Sequence, residues 1–254
     1  MPANPDATPE DAVEVISAMV KEYRELIGRG KIFGRPGVNM LTIALVGGLN
    51  AQTHALAEAT IALWDSPTAW VATVPIARSI FECGLLAQWV VHDPAAMGSV
   101  IAECERQRES LAKQLDIAKL AGGEEIRKAH TGTRGSKENV ARSVKSLTGQ
   151  FAAEHELYAQ YRYLCGFTHG GLSAADQWLV RTPPGSRVPL AFLSEKRPVK
   201  AYAIYVVLGL LYTASALGDV CQPSKNYANR LNQHAKRVGV DRRLILKEST
   251  RPSG

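Results

Sequence analysis

The sequence predicts an all-α fold: a bundle of about seven to nine helices with a long mobile loop near residues 122–136. Three observations lead there. Apolar residues recur with helical period along most of the chain. Helix-start signals stand before several of these stretches. No internal repeat and no convincing sheet pattern interrupts them. With 254 residues, 46% of them apolar and 21% charged, the chain can bury one large core or two small ones. That composition excludes a disordered or fibrous protein.

The elements follow in order. Thr8-Pro9-Glu10-Asp11 joins a cap hydroxyl, a first-turn proline and acids at the positive end of a helix dipole. Val13, Ile16, Val20 and Leu26 are that helix's apolar stripe, and the glycines from Gly28 to Gly37 end it. Asn39 can cap a second helix running to about Trp64. Ser66-Pro67 starts a third, to about His92, which Pro75 should kink or split. Asp93-Pro94 opens a polar, more exposed fourth helix reaching about Leu120. Gly122 to Ser136 reads as the mobile loop, with room for one frayed helical turn. A helix over Lys137–Leu147 follows, then the segment that holds Arg162 and His169. Thr182-Pro183-Pro184-Gly185-Ser186 is a surface turn, and short extended pairing can form between Arg187 and Leu193. An apolar helix after Pro198 and a basic helix after Pro223 complete the chain. The segments near 40–64, 67–92, 155–169 and 199–221 should form the centre. Three regions result: an N-terminal helix and loop (1–38), the bundle core (39–221) and a basic C-terminal helix and tail (222–254).

Ala201 to Val220 approaches the length of a membrane span. Gly209, Thr213, Ser215 and Gly218 dilute it, and the chain's mean hydropathy is −0.10. A buried central helix is expected, and no membrane partner. The N-terminus, Met-Pro-Ala-Asn-Pro-Asp, is polar and unlike a signal peptide. Cys83, Cys104, Cys165 and Cys221 form no CxxC pair, so a zinc ribbon is not expected and a reducing cytoplasm fits.

The net charge of +6 is unevenly placed. Beyond Cys221, eight basic residues face two acids, while the N-terminal segment leans acidic. Lys236, Arg237, Arg242 and Arg243 are therefore candidate contacts for an anionic partner such as RNA. A solvated basic helix that aids solubility is the plainer alternative.

The strongest functional signal is Tyr161-Arg162-Tyr163-Leu164-Cys165-Gly166-Phe167-Thr168-His169. Arg162 and His169 stand seven residues apart, so they share a helical face. A cation beside an imidazole can carry out acid/base and phosphate chemistry without a metal. On the third helix, Arg78 and Glu82 step by four among apolar residues and must be paired or line a cavity. They are either an internal ion pair that fixes register or part of a polar pocket facing the Arg162–His169 helix. Tyr158 and Tyr161 add phenols, and Asn50 and His54 step by four on the second helix. These residues are expected to converge between central helices. No glycine-rich phosphate loop, HExxH motif or di-metal Glu…ExxH set is present, so no cofactor or metal is expected.

Arg162 to His169 resembles the R-x(4–6)-H pattern of the HEPN superfamily, whose members are all-helical, usually dimeric and in many cases metal-independent endoribonucleases of toxin–antitoxin and phage-defence systems. The resemblance implies that His169 acts as general acid/base and that Arg162 stabilises charge on the phosphate. Where family members often carry Asn, Asp or His after the arginine, this chain has Tyr163. Ala77-Arg78-Ser79-Ile80-Phe81-Glu82, together with Tyr161-Arg162-Tyr163-Leu164…His169-Gly170, is similar to an uncharacterised bacterial helical family, domain-of-unknown-function family 5677, over about residues 40–220. That similarity implies that Arg78, Glu82 and His169 share one site. The expectation is a cytoplasmic HEPN-like ribonuclease, acting as a homodimer, with catalytic His169, Arg162, Glu82 and Arg78. RNA contacts would come from Tyr158, Tyr161, His54, Asn50 and the basic tail. A non-catalytic helical module that binds a protein partner or nucleic acid is the alternative.

Overall fold

The computed structural model describes residues 7–28, 33–66, 70–128, 136–168, 179–181, 190–192, 202–221, 223 and 226–247. The fold is all-α. Ten helices lie among the described residues: α1 (Pro9–Gly28), α2 (Met40–Leu63), α3 (Trp70–His92), α4 (Ala96–Ile117), α5 (Gly123–Lys128), α6 (Glu138–Arg142), α7 (Val144–Thr148), α8 (Glu154–Thr168), α9 (Ala203–Val220) and α10 (Tyr227–Val238). This exceeds the seven to nine expected because two stretches fold differently. Residues 123–128 of the expected loop form a short helix, and the helix expected over 137–147 divides at Ser143. That residue turns extended, and its hydroxyl accepts the Ser146 N–H at the start of α7. One antiparallel pair, β1 (Leu179–Arg181) with β2 (Leu190–Phe192), is the only ladder among the described residues.

Local chemistry accounts for the starts. Thr8 Oγ1 accepts the Asp11 N–H while Asp11 Oδ2 accepts the Thr8 N–H, a reciprocal cap in which an aspartate fills the usual glutamate place. Asn39 Oδ1 accepts the Leu41 N–H at 2.8 Å. Pro75 does not split α3. It sits in the second turn and forfeits a single helical hydrogen bond there.

α9 is the axis of the bundle, buried along most of its length and packed against α3, α2 and α1. Its approach to α3 is close enough to need two glycines. A Cβ on Gly209 would lie 2.5 Å from the Ile80 carbonyl oxygen, and one on Gly84 would lie 2.9 Å from the Gly209 Cα. Around this contact lie Ile80, Phe81, Leu85, Leu210 and Leu211, all fully buried. Several polar groups inside are matched: Thr53 and Thr213 hydroxyls meet at 3.1 Å, and Gln88 donates to the Tyr212 carbonyl while accepting the Leu244 N–H. α3 and α9 are both long and apolar enough to cross a membrane; here each is largely buried in the fold against the other.

The ends of the chain are sewn to this core. Arg35 donates to the carbonyls of Gly218 and Cys221, capping the C-terminus of α9. α1 and α10 pack on each other and on α9. Glu22 receives Arg230 at 3.0 Å and the His234 ring nitrogen lies 3.2 Å away, while Arg237 pairs with Asp11 and Glu14.

Candidate functional site

α3 and α8 meet through a polar clamp. Arg78 is half-buried on α3, and its Nε donates to Glu82 at 2.8 Å. Its other two nitrogens reach α8: Nη2 donates to the Tyr161 hydroxyl at 3.0 Å and Nη1 to the Thr168 hydroxyl at 3.1 Å. The guanidinium carbon also stands 5.1 Å from the Tyr161 ring centroid, within cation–π range. Burial opposes the Arg78 charge, but the Glu82 carboxylate outweighs it and raises the pKa. Burial, followed by the Cys165 thiol beside it, pushes the Tyr161 phenol up to about 12. Tyr158 stacks on Tyr161 with ring centroids 6.3 Å apart.

The face of α8 that meets α3 therefore carries Tyr161, Cys165 and Thr168, spaced by four and three. Arg162 belongs to the next face. It is exposed, and its side chain makes no hydrogen bond or ion pair among the described residues. Of the two readings of Arg78 and Glu82, the pair does turn toward α8, where Arg78 meets Tyr161 and Thr168 and not Arg162. Thr168 is the residue that sequence reasoning missed. Its spacing from Tyr161 is the same seven residues that drew attention to Arg162 and His169. His169 lies outside the described residues.

Asn50 and His54 do not join this cluster. They sit on α2, buried; His54 faces α1 and α9. The His54 ring stacks on Tyr23 with centroids 3.9 Å apart, and its Nδ1 lies 2.8 Å from the Asn50 carbonyl. Burial drives its pKa down to about 4, so the ring is neutral and donates through Nδ1. A cavity of about 10 Å³ beside it has room for a single water at most. The Asn50 amide, fully buried, has no hydrogen-bond partner on either Nδ2 or Oδ1 among the described residues. Of the residues expected to converge, Arg78 and Glu82 thus belong to a clamp at α3–α8, and Asn50 and His54 to a buried pair on α2. Helical spacing assigns a face but not the neighbour across from it.

The basic tail is also used differently. Arg237 is held by Asp11 and Glu14, Arg243 by Asp219, and Arg242 by Asn232 and Ser215. The charges of Arg237 and Arg243 answer acids of the same chain, while Arg242 meets neutral partners. Lys236 is exposed and makes no ion pair among the described residues. No group of three or more His, Cys, Asp or Glu side chains that could hold a metal occurs among the described residues.

The chain matches no family model, no curated protein and no solved structure.

Proposed function

We propose that this protein is a metal-independent, HEPN-like endoribonuclease whose centre is the solvent-facing side of α8, with Arg162 as phosphate clamp and His169 as proton-transfer residue. One observation carries the reading: Arg162 is an exposed guanidinium, unpaired among the described residues, on a helix whose adjoining face is locked in place. A free guanidinium on a fixed helix suits recognition of a phosphodiester. Half-exposed Tyr158 and exposed Tyr163 flank it and offer rings for base stacking. Arg78 and Glu82 then act as positioning residues: they hold α8 through Tyr161 and Thr168 and do not touch the phosphate. Lys236 remains as the tail's contribution to RNA attraction.

The test is incubation of labelled total RNA, in EDTA, with wild-type, His169→Ala and Arg162→Ala proteins. Cleavage by the wild type, abolished by His169→Ala and reduced roughly 100-fold or more by Arg162→Ala, is the expected result. The same products from all three proteins would overturn it.

A second reading is favoured by a different observation. Arg78 is engaged by its own chain on three sides, as in a structural clamp. On that reading the protein is a non-catalytic helical module, and α8 is a surface for a protein or nucleic-acid partner. Wild-type protein that binds RNA without cutting it, with Arg162→Ala weakening the binding, would decide for this alternative.

A further inference from the structure

α2 and α4 hardly touch among the described residues, and an apolar groove of about 340 Å³ lies between them. Leu41, Ala44 and Leu45, from the first two turns of α2, form one wall; Met97, Ile101 and Cys104 of α4 form the other. Both sets keep helical spacing, so each wall is one face of its helix. Leu41 is 56% exposed, and Ala44 and Cys104 are exposed as well, so the groove opens to solvent. An apolar hollow of this volume lies at the small end of ligand sites, the size that a single aliphatic chain fills.

The charge at the groove has one sign. One turn past Cys104, Arg108 also lines it. Arg108 is exposed, and its side chain makes no hydrogen bond or ion pair among the described residues. The acids near it on α4 are taken: Glu103 holds Arg106 and Arg142, and Glu109 holds Lys113. Glu105 lines the groove too, but it is 4% exposed and engaged within the chain. The charge that the groove shows to solvent is therefore the Arg108 guanidinium. α2 adds to it in a small way, since no acid stands in its first turn to answer the positive end of the helix dipole. The lining holds no second cation and no aromatic ring, which argues against a nucleotide or a polyanion.

We propose that this groove binds a fatty-acid-like amphiphile, with its aliphatic chain between α2 and α4 and its carboxylate on Arg108. One guanidinium answers one carboxylate, in the two-pronged geometry that suits both groups. A phosphate monoester would bring more charge than the groove can balance. The lining of α4 runs from Met97 to Arg108, about 16 Å along the helix axis, which an extended chain of about twelve carbons spans. The proposal is separate from the RNA reading, because α8 takes no part in the groove.

Calorimetric titration of the full chain with dodecanoate, kept below the concentration at which it forms micelles, tests this. One molecule should bind per chain. Octanoate should bind roughly tenfold more weakly or worse, because fewer CH₂ groups leave water. Dodecanol, which has the chain without the charge, should also bind roughly tenfold more weakly. Arg108→Ala should weaken dodecanoate by the same factor and leave dodecanol unchanged. Ala44→Trp should fill the groove and abolish binding of both; Arg108→Ala, at an exposed position, serves if that variant fails to fold. Saturating dodecanoate should slow alkylation of Cys104 by iodoacetamide, read at that residue by mass spectrometry. Wild-type protein that takes up no dodecanoate would overturn the proposal. So would binding that both variants leave intact, equal affinity for dodecanol and dodecanoate, or alkylation of Cys104 that dodecanoate does not slow. Protein that sediments with phosphatidylcholine–phosphatidylglycerol vesicles while ignoring free dodecanoate would overturn it in favour of a membrane surface.

Discussion

Two of the contacts that α3 makes, with α9 and with α8, are unlike. Toward α9 it presents Gly84 and Ile80, and the backbones touch with no side chain between them at Gly209. Toward α8 it presents Arg78 and Glu82, which are 23% and 34% exposed and work through hydrogen bonds. The first contact is dry and has no space for another atom, so it sets the position of the two core helices relative to each other. The second orients a helix without sealing it from water. The comparison places the fold's rigidity on one side of α3 and leaves accessible polar chemistry on the other.

The dry side should break most severely. Gly209→Val would put a Cβ 2.5 Å from the Ile80 carbonyl, against backbone that cannot step aside. Overpacking of this kind should cost about 3 kcal/mol or more, read from urea denaturation. Protein that unfolds at the same urea concentration as the wild type would show that the close approach of α3 and α9 is not the contact that organises the core.

The same side should carry the acid sensitivity. His54, 3% exposed, keeps a folded-state pKa of about 4 because burial disfavours its charge. Unfolded, it titrates near 6.5. Between those values the unfolded chain binds a proton that the folded chain refuses. Stability is therefore full above pH 6.5 and falls as the pH drops toward 4, by at most about 3 kcal/mol. His92, also lowered chiefly by burial, acts in the same direction. His54→Phe keeps a ring against Tyr23 and removes the titration, so its stability should be flatter across this range. An unchanged slope would assign the acid sensitivity to other groups.

Much of this division was legible in the sequence, and the exceptions are instructive. Thr8, Asn39 and the apolar run of α9 act locally, through caps and burial that periodicity reports well. The Arg78–Glu82 pair was legible for the same reason, as two charges one turn apart on an apolar helix. What periodicity does not report is rotation of one helix against another. A turn of 100° on α8 decides whether Tyr161 or Arg162 meets Arg78, and the two are adjacent in the chain. Asn50 and His54 were grouped with the clamp because they too are polar on an apolar helix; the neighbour that claims His54 is Tyr23, more than thirty positions away. The basic tail shows the same limit. Its charge is plain in the composition, but that Arg237 spends it on Asp11 and Glu14 depends on α1 and α10 lying together.

The wet side should yield less when broken. Glu82→Ala leaves Arg78 with its two α8 hydroxyl partners and partial access to water. The loss should be about 1–2 kcal/mol, below the cost of stranding a fully buried charge, because solvent screens the pair. Raising the salt concentration should narrow the gap between wild type and mutant. A loss as large as that of Gly209→Val would show that the clamp belongs to the core after all.

The smallest effect on stability, and the most informative, should come from Arg162→Ala. An exposed side chain with no partner among the described residues should change unfolding by no more than about 0.5 kcal/mol. If α8 is the RNA face, the same substitution should nonetheless lower RNA cleavage and flatten the dependence of RNA binding on salt, since one phosphate contact is lost. Tyr161→Phe is its counterpart one position away. It removes the hydroxyl that accepts from Arg78 and should lower stability while leaving the phosphate contact in place. If Arg162→Ala destabilised the fold while Tyr161→Phe did not, the two faces of α8 would have to be exchanged, and the division drawn across α3 would fall with them.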